Sequence, residues 1–173
     1  MDLFRPTRIT SLGGKKYGLE IVDDYSCFTW IIFLAHKDET FSAFIKFHKK
    51  VSNEKGISII SLRSDHGTEF ENHDFEIFYN ENGIHHNFSA PRTSQQNRMV
   101  ERKNRILEEM ACTMLCEIDL PRYFWMEAIN TACYVLNHVL IRLIFKKKYL
   151  MSFEKVGNQL LSIFIFLDAV VLF

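Results

Sequence analysis

The sequence predicts a mixed α/β domain, on three observations. Two apolar, β-prone runs, YGLEIVDD (17–24) and FTWIIFLA (28–35), are separated only by turn-forming residues. Helical apolar periodicity then alternates with short strand-like runs between residues 38 and 89. Two long periodic stretches follow, from residue 94 to residue 138. At 173 residues the chain has the length of one domain with a substantial core.

Taken in order, Gly13 and Gly14 mark a turn, so residues 1–4 read as the stub of a first strand. Asp23, Asp24, Tyr25 and Ser26 supply the turn of a hairpin between the second and third strands. Asp38 stands where it can cap a helix whose face carries Phe41, Phe44, Ile45, Phe47 and Val51, and Gly56 ends that helix. Residues 57–62 (ISIISL) read as a buried strand, followed by Arg63, Ser64 and Asp65. A short helix over 72–80, closed by Gly83, leads to a strand over 84–89. Thr93 and Gln96 fit a capping box that opens a long helix with Val100, Leu107, Met110, Ala111 and Met114 on one face. Pro121 opens another, striped by Phe124, Trp125, Ala128, Ile129, Ala132, Val135 and Leu136. The order is a three-strand meander, helix, strand, helix, strand and two helices, which is a layered α/β architecture.

Composition narrows the class. Apolar residues make up 47% and charged residues 24%, as in ordinary soluble domains, and the sixteen phenylalanines fall at core-filling spacings. The formal net charge is zero, so any nucleic-acid contact must come from a local basic patch. Cys27, Cys112, Cys116 and Cys133 form no CxxC pair and show no zinc spacing. Cys112 and Cys116 lie in an apolar helical run and read as core thiols, which points to a reducing, intracellular compartment. The charged and polar start is not that of a signal peptide. Residues 160–173 are apolar but short for a span and carry Asp168, so they read as a buried strand and not as a membrane helix.

Three acids form a candidate metal site. Asp65 falls just past the end of a buried strand, where open α/β sheets place their chemistry. Glu101 follows after thirty-five intervening residues, in the second turn of the capped helix. A strand-end acid and a helix acid facing it can hold Mg²⁺ through oxygen. Two such ions about 4 Å apart serve phosphoryl transfer. A third acid is needed from the first strand, and Asp2 is the candidate there. Taken alone, an Asp or Glu is more often a solvated or capping residue. Beside Glu101, the cluster Arg92, Arg98, Arg102, Lys103 and Arg105 suits a phosphate backbone. The plainer alternative is a solvated helix face, with Glu108 and Glu109 pairing back to basic neighbours.

The motifs LRSDHGTEF (62–70), GIHHNFSAP (83–91) and QQNRMVERKNRILEEMA (95–111) resemble the integrases of copia-type retrotransposons. SLGGKKY (11–17), VDDYSCFTW (22–30) and FWMEAINTACYVLN (124–137) extend the likeness over residues 2–138, and MSFEKVGN (151–158) is a fainter echo. The resemblance implies an RNase H-like fold, a mixed five-stranded sheet with a three-strand antiparallel meander and two parallel strands, flanked by helices. It implies an integrase catalytic core over residues 1–140 and a divergent extension over 141–173. By position, Asp2, Asp65 and Glu101 become the catalytic and metal-binding acids for two Mg²⁺ or Mn²⁺ ions. Asn104 and Arg105 resemble DNA-contacting positions and join Arg98, Arg102 and Lys103 in a DNA-binding set. Asp23 and Asp24 fall at a turn in the family and are read as structural.

The implied activity is 3′-end processing and strand transfer of element DNA into a target duplex, in the nucleus. The implied partners are those two DNAs and further copies of the chain, with neither a membrane nor a small-molecule substrate. Departures stand beside this. The first strand reads as truncated, His66 and Thr68 replace the usual Asn and Gly, and Ser94 and Arg98 replace Pro and Gly before Glu101. Losing that glycine stiffens a loop expected to move. The alternative function is a decayed, non-catalytic remnant that binds nucleic acid or self-associates. A true ribonuclease H is a third option, disfavoured by the QQN and ERKNR motifs.

Overall fold

The structure is a computed structural model that describes residues 1–56, 58–88 and 94–149; for residues 55, 94–99 and 140–149 it describes the backbone alone. Strands β1 (Asp2–Phe4), β2 (Tyr17–Val22) and β3 (Thr29–Leu34) form the expected antiparallel meander, in the order β1-β2-β3. The register sets Asp2 opposite Glu20 and Phe4 opposite Gly18. A Cβ at Gly18 would stand 2.8 Å from the Phe4 ring, so only glycine lets that ring lie across β2. Between β2 and β3 the Asp23 carboxylate accepts from the backbone and hydroxyl of Ser26, which gives Asp23 the structural role expected of it. Exposed Asp24 pairs with Arg63 at 3.9 Å.

Helix α1 (Thr40–Lys55) follows a 3-10 turn, Lys37–Glu39. Asp38 does not cap it. The extra turn puts Glu39 at the N-cap without a side-chain bond, and Glu39 accepts from the Ala35 amide instead, at 3.0 Å. Gly56 ends α1 as expected, in the left-handed conformation (φ 62°). Strand β4 (Ser61–Ser64) starts later than the sequence suggests, because its partner β5 (His85–Phe88) supplies only four parallel pairings. Between them lies α2 (His73–Asn82), capped by Asn72 at 2.9 Å and closed by Gly83. Then come α3 (Ser94–Glu117) and, after a 3-10 turn at Arg122–Phe124, α4 (Trp125–Tyr149), which crosses residue 140 without a break. The capping residue Thr93 and the strand expected over 160–173 lie outside the described residues.

Side-chain alternation along β2 and β3 makes three layers. Leu19, Ile21 and Leu34 face α1 and α2, in a core with Phe44, Phe47, Leu62, Phe75 and Ile84. Phe4, Ile31 and Phe33 face α3 and α4, against Leu107, Ala111, Trp125, Ile129 and Ala132. Each fully buried Phe, Leu or Ile among these contributes roughly 1.5–3 kcal/mol. The sheet is held as two ladders, β1-β2-β3 and β4-β5, and the Met1 amine bridges them by donating to the Arg63 carbonyl. Cys112 and Cys116 are exposed, not core thiols, since α3 buries its Leu107–Ala111 face instead. Only Cys133 is a buried thiol. No described helix is long and apolar enough to cross a membrane.

Candidate active site

The three acids arrive from three elements at one end of the sheet. Asp2 opens β1, Asp65 follows the last residue of β4, and Glu101 stands in the second turn of α3. Burial raises the Asp2 carboxyl above the ordinary aspartate range, and the charges of Asp65 and Glu101 both add to the rise. Both charges therefore lie within electrostatic reach of Asp2.

Each acid is held differently. Asp2 is half-buried; its Oδ1 accepts from the Leu3 amide at 2.9 Å and its Oδ2 from Asn104 Nδ2 at 2.7 Å. Asp65 Oδ1 accepts from the Gly67 amide at 3.2 Å. Glu101 is exposed. Among the described residues no three His, Cys, Asp or Glu side chains close around a common point.

Behind Asp65, fully buried Ser64 donates to the Asp65 carbonyl at 3.1 Å and lies 2.9 Å from His86 Nε2. The serine has one hydrogen and gives it to that carbonyl, so His86 is the donor on Nε2. Burial lowers the His86 pKa, in keeping with a neutral ring. Its ring packs against Tyr79 and Phe88, and Phe88 stacks on His66 at 4.9 Å between centroids.

The basic set divides. Arg102 and Arg105 are exposed, with Arg105 Nε 3.8 Å from Glu109 Oε1, the i+4 pairing expected of a solvated face. The Arg98 side chain and Arg92 lie outside what is described. Asn104 is buried on Asp2. Lys103 turns inward, against the expectation of a DNA-facing ammonium: it is 9% exposed and donates to the Cys27 carbonyl and, at 2.7 Å, to Thr29 Oγ1.

Sequence reasoning missed the group facing that lysine. Glu20 is fully buried directly across from Asp2, and neither carboxyl oxygen has a hydrogen-bond partner among the described residues. Burial pushes its carboxyl up to about 8 in spite of the attraction of Lys103. The signal was a lone acid inside the apolar run YGLEIV, on the face shared with Gly18. Asn137 was also missed; its side-chain amide takes both backbone groups of Thr29, at 2.9 and 2.8 Å, and so closes the edge of β3. A groove of about 700 Å³ runs along β3 between α1 and α4, and none of the three acids lines it.

A meander and a parallel pair between two helical layers make an RNase H-like fold. The chain belongs to the integrase core domain family, whose model matches residues 1–94. It is similar to the retrovirus-related Pol polyprotein from transposon TNT 1-94 of Nicotiana tabacum, 41% identical over 136 residues, which is 79% of this chain and 10% of that protein. The polyprotein of transposon RE2 of Arabidopsis thaliana is 32% identical over 131 residues, 76% of this chain and 9% of its own length. The transposon Ty1-DR6 Gag-Pol polyprotein of Saccharomyces cerevisiae is 26% identical over 138 residues, 79% of this chain and 8% of that protein. The chain therefore spans about a tenth of the curated relatives it matches.

Two solved structures share the fold. The HTLV-2 integrase catalytic core domain in complex with magnesium aligns at TM-score 0.54 and 22% identity, over 78% of this chain and 82% of that one. The simian T-cell lymphotropic virus intasome in complex with a PP2A regulatory subunit aligns at 0.60 and 17%, over 79% and 47%. The copia-type relationship and the RNase H-like fold read from the sequence are borne out.

Proposed function

We propose that this chain is the catalytic core of a DNA strand-transfer enzyme, with Asp2, Asp65 and Glu101 as its divalent-metal ligands. The observation that carries the reading is the convergence of Asp2 on β1, Asp65 after β4 and Glu101 on α3, with α3 tied to Asp2 through Asn104. The donor chemistry fits Mg²⁺ or Mn²⁺, since all three ligands are carboxylates with hard oxygen atoms. When bound, the ions supply activation of the attacking oxygen and stabilisation of the leaving oxygen at a phosphodiester. That one relative by fold was solved with magnesium supports the same choice.

The chain's own residues do the rest. Asn104 orients Asp2, and the Gly67 amide with the Ser64–His86 pair fixes the turn that carries Asp65. Exposed Arg102 and Arg105 flank Glu101 and suit the phosphates of element ends and target duplex. Assembly as a multimer is part of the reading, supported by the trimeric and dimeric forms of the HTLV-2 core and by the viral intasome. A nuclear site of action is part of the same reading.

A second reading, a non-catalytic nucleic-acid-binding or self-associating remnant, draws on two observations. Both Asp2 oxygens already accept hydrogen bonds, and the described acids do not close around a common point. A strand-transfer assay on labelled duplex ends with Mn²⁺ separates the two. The enzyme reading expects joined products from the parent and none from Glu101→Gln. DNA binding without joined products in the parent would favour the remnant.

A further inference from the structure

We propose that Lys103 is a positioning residue of the acidic site, its buried ammonium fixing α3 so that Asn104 meets Asp2 and Glu101 stands beside it. The inference rests on reading Asp2, Asp65 and Glu101 as one site. Consecutive residues of α3 grip the two outer strands of the meander. Lys103 reaches the start of β3 through the Cys27 carbonyl and Thr29 Oγ1, and Asn104 reaches β1 through Asp2 Oδ2. Glu20, on the strand between, faces the same ammonium. Sliding or rotating α3 breaks all of these bonds together and carries Glu101, two residues earlier on the helix, away from Asp2.

Burial is what separates this role from phosphate binding. An ammonium is strongly hydrated, and a lysine serving DNA keeps that head in water. This one is enclosed, with two of its three N–H donors on protein oxygens. The acceptors are specific, too. Cys27 holds a left-handed backbone (φ 58°), and a bond to its carbonyl helps hold the turn in that shape. A buried charge of this kind adds little stability over an apolar side chain of equal size, so its contribution is expected in geometry.

The test uses the full chain as parent, Lys103→Met, Lys103→Arg and Thr29→Val. Three quantities are read: melting without metal, the NMR position of the Asn104 side-chain amide, and Mn²⁺ affinity by calorimetry. Lys103→Met is expected to melt within a few degrees of the parent. Its Asn104 amide moves to the position of an unbonded amide, and its Mn²⁺ affinity falls about tenfold to a hundredfold, the usual range for an outer-shell partner. Lys103→Arg restores most of the loss, and Thr29→Val, which removes one acceptor, shifts the amide in the same direction by less.

An Asn104 amide and Mn²⁺ affinity unchanged in Lys103→Met would overturn the proposal. Were that variant not to fold, an unshifted amide in Thr29→Val would overturn it equally. A parent that binds no Mn²⁺ counts against the metal-site reading alone, and the amide resonance still decides the role of Lys103.

Discussion

Asn104 Nδ2 donates to Asp2 Oδ2 at 2.7 Å, tying helix α3 to strand β1 beside the acidic residues. Asn104 is buried, and its Oδ1 has no hydrogen-bond partner among the described residues. Asn104→Leu removes the one donor that Asp2 Oδ2 has among the described residues and leaves a half-buried carboxylate oxygen without it. The expected cost is about 1–3 kcal/mol in urea unfolding, with Mn²⁺ affinity reduced in step. A variant as stable as the parent, with the same affinity, would show the bond to be incidental.

Glu20 gives the chain a pH signature. Burial pushes its carboxyl up to about 8, Asp2 adds to the rise, and Lys103 and the Met1 amine oppose it. A carboxyl that binds its proton more tightly when folded favours the folded state fully below its ordinary value of 4.5. That contribution declines as pH rises and is gone once pH passes about 8. Glu20→Gln is expected to flatten this decline and to exceed the parent in stability at pH 8 by on the order of 3 kcal/mol. His48 and His86, whose pKa values burial lowers, bend both curves alike below pH 6.5, so the difference between the curves isolates Glu20. Parallel curves across pH 5–9 would mean that Glu20 is hydrated.

Asn137 is the anchor of α4 on the sheet edge. Replacing it with Leu leaves both the amide and the carbonyl of Thr29 without the partner it supplies. An expected loss of about 1–3 kcal/mol follows, since the Thr29 amide is left unsatisfied and its carbonyl keeps only the weak Cys133 thiol donor. Thermal melting of Asn137→Leu beside Asn130→Ala, an exposed change on the same helix, checks this; equal small shifts in both would remove the anchor.

Salt dependence sorts the basic residues. Arg102→Gln and Arg105→Gln, both exposed, are each expected to flatten the log–log salt slope of duplex binding by about 0.9. Lys103→Met is expected to leave the slope unchanged, because its ammonium is spent inside the protein. A slope change in the lysine variant equal to that in the arginines would return Lys103 to the DNA-facing set.

Much of the fold was legible because it is written in local periodicity. The hairpin around Asp23, the αL stops at Gly56 and Gly83, and the Asn72 helix start each follow from residues adjacent in sequence. The limits of β4 were not, since its length is set by what β5 can pair with. Asp38 was misplaced as a cap because one 3-10 turn, invisible to helical periodicity, shifts the helix start. At the site, Asp65 and Glu101 were found through strand end and spacing. The inward turn of Lys103 was hidden, because Arg102, Lys103 and Arg105 look alike as charges and only the packing of α3 on β3 tells them apart. Glu20 and Asn137 matter through partners 18 or more residues away, beyond any local pattern.

The central claim is that three acids, on β1, just after β4 and on α3, form one metal site, and a calorimetric Mn²⁺ titration of the chain beside Asp65→Asn tests it most directly. The account expects saturable binding in the parent that is abolished in the variant, with melting in the absence of metal unchanged. Equal Mn²⁺ affinity in parent and variant, or none in a folded parent, would contradict it.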